Sequence, residues 1–191
     1  PMSTIAGQLA FFVGSYNLLK FNGGKGVMIG KLKDIEPRVV TVIGAGVAGT
    51  QSISKALDNN AHVKVVDSSN SKLESLKSQY GNKNIEYILS TKDSIQSSIN
   101  DSDLVIGSVY VVGKEAPKVV TKKMLSSMNP GTVMVDVSID QGGCAETSKA
   151  TTHQNPTYVV DGVVHYCVAN IPGAFAKTST QALTDITLPY I

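Results

Sequence analysis

A glycine-rich turn between two apolar runs most constrains the fold of this chain. The first run, at 39–43, is rich in β-branched residues, as buried parallel strands are, and it leads directly into GAGVAG at 44–49. A helical pattern follows. A second apolar run, at 62–66, ends at Asp67, so 67 − 49 = 18 residues separate the last glycine from the acid. Strand, glycines, helix, strand and acid in this order predict a dinucleotide-binding βαβ unit, in which the acid follows by about 20 residues.

Each part of this unit has a physical role. Gly44 permits the tight turn from strand to helix, Gly46 lets the backbone approach a pyrophosphate, and Gly49 lets the helix pack close to the strand. The start of the helix offers free N–H groups and the positive end of its dipole to the phosphates. Asp67 would accept a hydrogen bond from a ribose 2′-hydroxyl and repel a 2′-phosphate, which favours NAD over NADP.

The overall composition excludes several classes of protein. The chain has 191 residues, 42% apolar and 17% charged, which is ordinary for an α/β domain. The net charge of +2 comes without a dense cluster of Lys and Arg, so nothing favours a nucleic-acid or membrane-surface partner. No apolar run reaches the roughly 20 residues that span a bilayer, and no segment resembles a signal peptide. Two cysteines, Cys144 and Cys167, favour free thiols in a reducing, cytoplasmic setting.

Strand-like and helix-like segments alternate along most of the chain. The predicted strands lie at 39–43, 62–66, 85–89, 103–109, 132–137, 158–160 and 163–168, and the predicted helices beyond the glycine turn at 71–80, 92–99, 119–128 and 178–187. This alternation predicts an α/β fold with a doubly wound parallel sheet, a Rossmann-like domain.

The segment before the glycine turn predicts a helix and a tight turn. Residues 1–20 read as a helix with Ser3 as N-cap and an apolar stripe. That stripe consists of Ile5, Leu9, Phe12 and Val13. The glycines at 22–26 could hold phosphate, but a hairpin turn needs the same residues and is favoured. We therefore expect one domain over 1–191, with a leading helix and glycine-rich hairpin at 1–37 and a Rossmann-like core at 38–191.

The carboxyl ends of the strands are the expected ligand side of such a sheet. Residues that directly follow apolar runs include Ser90, 108–110, 138–143 and 169–172. In SIDQGGC, at 138–144, a carboxylate and two glycines could lie against the nicotinamide end of a cofactor, although a simple turn uses the same residues.

The histidines and cysteines give little indication of a catalytic or metal-binding site. His165 lies in an apolar strand and is expected to be a hydrogen-bonded, half-buried residue. Cys144 has no obvious neighbouring base, so a nucleophile is not expected, and no grouping has the spacing of a zinc site.

With these residues in view, the chain resembles alanine dehydrogenase and, more distantly, the NAD-binding subunit of proton-translocating transhydrogenase. The likeness covers nearly the whole chain. Its most specific motifs are GGKGV at 23–27, GAGVAG at 44–49, DLVIGSV at 103–109, VDVSIDQGGC at 135–144, TTH at 151–153, GVVHYCVANIPG at 162–173 and KTSTQALT at 177–184.

This resemblance implies an oxidoreductase that uses NAD in the reversible oxidative deamination of L-alanine to pyruvate and ammonium. It implies that Asp140 is catalytic beside the nicotinamide and that Asn170 lies near it in the site. The cofactor contacts that it implies, together with the three glycines, are Ser3, Gly44, Gly46, Val47, Ala48, Gly49, Asp67, Lys72, Ser90, Val109, Tyr110, Val137, Ser138, Ile139, Asp140, Lys149, Val168, Ala169, Asn170 and Ile171. Lys149 stands where the family usually carries an arginine, and Ile171 where it often carries a methionine.

The resemblance also implies what is missing. Members of the family carry an N-terminal substrate domain with a catalytic histidine, and they assemble as hexamers. No counterpart of that domain occurs here, so we expect this chain to bind NAD but not to turn over alanine unaided. A non-catalytic NAD-binding module and a fragment of a transhydrogenase subunit remain the alternatives.

Overall fold

The computed structural model describes residues 1–190 and contains a seven-stranded sheet in the order β3-β2-β1-β4-β5-β7-β6. The strands are β1 (Val39–Ile43), β2 (His62–Asp67), β3 (Ile85–Leu89), β4 (Leu104–Gly107), β5 (Val133–Asp136), β6 (Thr157–Val160) and β7 (Val163–Tyr166). The helices are α1 (Met2–Asn17), α2 (Val47–Asp58), α3 (Asn70–Tyr80), α4 (Lys92–Asn100), α5 (Lys122–Leu125) and α6 (Ala176–Thr187). Short 3₁₀ helices occupy Lys20–Asn22, Val137–Gln141, Ile171–Phe175 and Leu188–Tyr190.

Strand pairing confirms the α/β fold and the doubly wound arrangement. Strand β1 pairs in parallel with β2 on one side and with β4 on the other, so the chain order reverses between β1 and β4. Among the seven strands within residues 1–190, only β6 is antiparallel; it pairs with β7 at the edge of the sheet. The tight turn between them has both central residues, Asp161 and Gly162, at positive φ, as the favoured hairpin turns require.

Two apolar cores cover the two faces of the sheet. One core takes buried side chains from α1, α2 and α3, and the other takes them from α4 and α5. The central strands β4 and β5 are buried along their whole length, which explains why their sequences are apolar up to Asp136 at the end of β5.

Helix α1 packs directly on α2. A Cβ at Gly7 would lie 2.1 Å from the carbonyl oxygen of Ala48, so only glycine allows this approach. At the same crossing, the Ser52 hydroxyl donates to the Gly7 carbonyl at 2.7 Å. Because α2 begins at the glycine turn, this contact brings α1 to the carboxyl edge of the sheet.

The structure corrects two predictions for α1. Pro1 is at the N-cap position and no side chain caps the helix, so Ser3 lies within the first turn instead. The buried face includes Leu9 and Phe11, whereas Phe12 is about half exposed. Packing of α1 against both α2 and the sheet selects a face that the apolar spacing alone did not identify.

Two further segments differ from the prediction. No hairpin forms in the glycine-rich segment; residues 20–22 form a 3₁₀ turn that ends at Gly23, and a single antiparallel bridge joins Leu32 to Ile35. The helix predicted at 119–128 is limited to α5, because the N–H groups of Val119 and Val120 donate to the Cys144 carbonyl instead. No helix within residues 1–190 has the length and apolar character needed to cross a membrane.

Candidate functional site

A cleft of about 840 Å³ opens at the carboxyl ends of the central strands, where the strand order reverses. This is the place where doubly wound sheets bind their ligands, and the volume lies in the usual range for cofactor sites. Residues from α1, the glycine turn, the ends of β2, β3, β4 and β5, and the 3₁₀ segment at 171–175 line it.

The glycine turn forms one wall of the cleft. The Gly44 N–H donates to the Val66 carbonyl at 2.8 Å, and a φ of +100° at Gly44 gives the sharp bend. A Cβ at Gly49 would lie 1.8 Å from the Gly44 carbonyl oxygen, so α2 can start here only with glycine. A Cβ at Gly46, in contrast, would meet nothing within 4 Å and would project into open space. The turn therefore leaves room for a ligand at Gly46.

Asp67 ends β2 beside this turn and is 7% exposed. Its Oδ2 accepts from the Ala45 N–H at 2.6 Å, and its Oδ1 accepts from the Ser69 N–H at 2.8 Å. The ammonium nitrogen of Lys72 lies 3.8 Å from Oδ2. Each carboxylate oxygen has two lone pairs, so Asp67 braces the turn and still has capacity to accept from a ligand in the cleft.

Asp140 and Asn170 meet at the opposite end. The backbone N–H of Asn170 donates to Asp140 Oδ1 at 3.1 Å, and Asn170 has a positive φ of 53°, which asparagine tolerates better than most residues. His153 Nε2 lies 3.3 Å from the Asn170 carbonyl. The blocks at 135–144 and 162–173, distant in sequence, are thus adjacent here.

Most of the predicted contacts line the cleft: Ser3, Gly44, Gly46, Val47, Ala48, Asp67, Lys72, Ser90, Val109, Tyr110, Val137, Ser138, Asp140 and Ile171. The predicted residues outside the lining are Gly49, Ile139, Lys149, Val168, Ala169 and Asn170. Gly49 packs behind the turn, and Ile139 is buried. The Lys149 ammonium lies 5.4 Å from the centre of the Tyr158 ring, on the edge strand β6.

Sequence reasoning missed several lining residues, among them Met2, Ala6, Ser68 and Pro117. Gln141 and Pro172, which also line the cleft, lie within the ranges 138–143 and 169–172 that were expected on the ligand side. The contribution of Met2 and Ala6 depends on the crossing of α1 and α2, for which the sequence carries no comparable pattern.

His165 is a structural residue and is fully buried, not half-buried as predicted. Its Nδ1 faces the Val163 carbonyl at 2.9 Å and must donate, so Nε2 accepts from the Thr147 hydroxyl at 2.9 Å. Burial lowers the pKa of His165, which keeps the ring neutral. Within residues 1–190, no three His, Cys, Asp or Glu side chains come together in a way that could hold a metal ion.

Both cysteines are free and buried. Burial, together with the nearby Asp136 carboxylate, raises the pKa of the Cys144 thiol well above its ordinary value, and burial also raises the pKa of Cys167. A thiol held in its protonated form is a poor nucleophile. Cys144 is accordingly a packing residue, against which Gly107 fits closely.

We predict that neither thiol of the folded chain reacts with Ellman's reagent at neutral pH, whereas two equivalents react in denaturant. Reaction requires the thiolate, and burial disfavours the charged form. The folded chain binds the thiol protons more tightly than the unfolded chain does. The free energy of unfolding should therefore be highest below the ordinary thiol pKa of about 8.5 and should fall as the pH rises above it. Rapid labelling of either cysteine in the folded chain would contradict this prediction.

Comparison with known proteins gives consistent matches. Residues 10–191 match the family model described as alanine dehydrogenase/PNT, C-terminal domain. An alanine dehydrogenase of Halomonas elongata is 52% identical over 191 residues, which is 100% of this chain and 51% of that relative. The chain thus spans about half the length of the curated relatives it matches.

Solved structures extend the comparison. A structure titled L-alanine dehydrogenase matches with a TM-score of 0.96 and 42% identity, covering 100% of this chain and 52% of the other. A transhydrogenase from Sinorhizobium meliloti matches with a TM-score of 0.78 and 26% identity, covering 92% of this chain and 50% of the other.

Proposed function

We propose that this chain, which belongs to the family of alanine dehydrogenase/PNT C-terminal domains, is part of an oxidoreductase. The chain is the NAD-binding domain of an alanine dehydrogenase, and its cofactor is NAD. The proposed activity of the whole protein is the reversible, NAD-dependent oxidative deamination of L-alanine to pyruvate and ammonium. The observation that carries the proposal is the cleft itself, which has Asp67 and the glycine turn at one end and Asp140 at the other.

The cleft fits an extended dinucleotide. From the end of β2 to the end of β5 there are three strand spacings, roughly 14 Å in total. The open space above Gly46 suits a pyrophosphate, and the remaining acceptor capacity of Asp67 suits a ribose hydroxyl. At the other end, two buried oxygens, Ser138 Oγ and Gln141 Oε1, have no hydrogen-bond partner among the described residues. The Gln141 oxygen accepts and the Ser138 hydroxyl can accept or donate, so this position suits a ligand with both N–H donors and a carbonyl acceptor, as a carboxamide has.

Asp140 is the residue that we assign to catalysis. Its carboxylate is exposed to the cleft, and Oδ1 accepts one hydrogen bond from Asn170. The other oxygen is available to orient the amino group of the substrate. When bound, NAD supplies the acceptor for the hydride. Asn170, through its backbone N–H, fixes the direction of the Asp140 carboxylate.

We assign substrate binding to groups in the part of the relatives' length that this chain does not span. Hydride transfer requires substrate held at near-attack distance, and groups on both sides of a cleft normally supply that restraint. The purified chain alone should therefore not reduce NAD with alanine. An appreciable rate would overturn this part of the proposal.

The remaining assignments concern organisation and setting. We propose that 1–191 forms one NAD-binding domain, that the protein is a homo-oligomer, and that it acts in alanine catabolism in the cytoplasm. The two free thiols fit a reducing compartment. The transhydrogenase alternative is weaker, because identity and TM-score are both lower for that match.

Titration with NADH, followed by its fluorescence, tests the proposal. We expect saturable binding by the wild-type chain and a loss of at least about tenfold in Asp67→Asn. A hydrogen bond to a charged group contributes about 1.5–3 kcal/mol, which corresponds to at least about tenfold in affinity.

Two controls keep this experiment interpretable. Asp58→Asn removes an exposed carboxylate at the far end of α2, where it pairs with Lys55, and should leave the affinity unchanged. Because Asp67 also braces the glycine turn, circular dichroism must establish that Asp67→Asn is folded at the titration temperature. Absence of binding by the wild-type chain would overturn the proposed function for this chain.

A further inference from the structure

A buried carboxylate lies beneath the turn that carries Asp140. Asp136, at the end of β5, is 2% exposed. Its Oδ1 accepts from the Ser138 N–H at 2.9 Å, and its Oδ2 accepts from the Cys144 N–H at 2.7 Å and the Ser148 hydroxyl at 2.5 Å. One side chain therefore ties together both ends of the 138–144 turn.

A lysine holds the same turn from the outside. Lys118 is exposed, and its ammonium group donates to the carbonyl of Gly142 and, at 2.7 Å, to that of Gly143. Both glycines have positive φ, a backbone conformation that glycine adopts without strain. A Cβ at Gly143 would lie 2.8 Å from Asp136 Oδ2, so glycine is also needed for the close approach to the carboxylate.

The Asp136 carboxylate and the Lys118 ammonium group bind complementary parts of one backbone segment. Asp136 accepts hydrogen bonds from N–H groups at the two ends of the 138–144 turn, and Lys118 donates to two successive carbonyls near the end of that turn. Neither residue lines the cleft, whereas Asp140 and Gln141, which lie between the tethered positions, do. Asp140 itself makes one described side-chain hydrogen bond, so the backbone of the turn largely determines where its carboxylate lies.

We propose that Asp136 and Lys118 are positioning residues that fix Asp140 and Gln141 at the nicotinamide end of the cleft. This inference rests on the proposed function, since it takes NAD as the ligand. Sites of this kind depend on support that holds the contacting groups to within about 0.5 Å, and charge-assisted hydrogen bonds are the strongest polar support available. The glycine turn and Asp67 lie on other strands, so a displaced 138–144 turn would leave the adenosine end of the cleft intact.

The test compares two ligands that differ only at the end in question. NADH and ADP-ribose share the adenosine and pyrophosphate, but ADP-ribose lacks the nicotinamide. We expect Asp136→Asn and Lys118→Met each to weaken NADH binding at least about fivefold and to leave ADP-ribose binding within about twofold of wild type. Fluorescence titration and calorimetry measure the two affinities.

The matched control is Asp103→Asn. Asp103 is also a buried carboxylate, 8% exposed, but it lies at the opposite edge of the sheet, where it pairs with Lys25 at 2.8 Å and accepts from the Val39 N–H at 3.3 Å. The same isosteric change there should lower the melting temperature without altering the ratio of NADH to ADP-ribose affinity. A purely structural role for Asp136 would give this control pattern too.

The possible outcomes distinguish failure of the positioning role from failure of the proposed function. Equal loss of both ligands, or loss of neither, in folded variants would overturn the positioning role while leaving the proposed function intact. Failure of the wild-type chain to bind either ligand would overturn the proposed function and the positioning role together. If Asp136→Asn does not fold, Lys118→Met, at an exposed side chain, decides the question alone.

Discussion

Replacing Gly49 with alanine should lower the free energy of unfolding by about 3 kcal/mol or more, enough to unfold a marginally stable domain. The added Cβ would lie 1.8 Å from the Gly44 carbonyl oxygen and 2.7 Å from the Ser108 hydroxyl oxygen. The first of these neighbours is backbone, held by the strand that precedes it. Relief therefore requires α2 to move away from β1, which disrupts the core at the centre of the sheet.

Urea denaturation followed by circular dichroism measures this effect. The midpoint for Gly49→Ala should fall well below that of wild type, or no folded baseline should remain. An unchanged midpoint would mean that α2 can shift at little cost, contrary to the close packing described here.

Replacing Gly46 with alanine should have the opposite profile: normal stability and a loss of NADH affinity of at least about tenfold, or about 1.4 kcal/mol. The backbone angles at Gly46, φ −79° and ψ −168°, are open to alanine, and its Cβ would meet nothing within 4 Å. Gly46 lines the cleft, so the new methyl group would occupy the space in which a pyrophosphate can approach the backbone.

Denaturation and titration of the same Gly46→Ala preparation separate the two properties. Unlike Asp136→Asn, this variant should weaken NADH and ADP-ribose equally, because both carry the pyrophosphate. If a folded Gly46→Ala chain bound NADH with wild-type affinity, the pyrophosphate would have to bind away from Gly46.

Local sequence patterns were sufficient for the strands of the sheet and for the edge at which the cleft opens. Strand β1 has the predicted bounds, because a β-branched run next to a glycine turn has few other stable conformations. Residues that follow parallel strands, such as Ser90 and Asp140, line the cleft as expected, since parallel strands bring their carboxyl ends to one edge.

The failures have a common physical cause, which is contact between residues far apart in sequence. A Cβ at Gly131 would lie 2.9 Å from the Lys25 backbone nitrogen, and the Lys25 N–H donates to the Gly131 carbonyl, so the glycine-rich segment serves close packing and not a hairpin. Asp136 reads as the end of an apolar strand. Its role depends on partners up to 148 − 136 = 12 residues later, a separation that matches no helical or strand period.

The crossing of α1 on α2 has a thermodynamic consequence. Met2, Ser3 and Ala6, in the first turns of α1, border the cleft, so a ligand that fills it also contacts α1. Detachment of α1 would remove one wall of the cleft and so weaken ligand binding. By linkage, a bound ligand would oppose the detachment of α1 by the same free energy. Anything that pulls on or anchors α1 is thus energetically coupled to the cofactor, and the coupling is reciprocal. The first helix thus borders a cleft whose glycine turn lies more than 40 residues further along the chain, since 46 − 2 = 44.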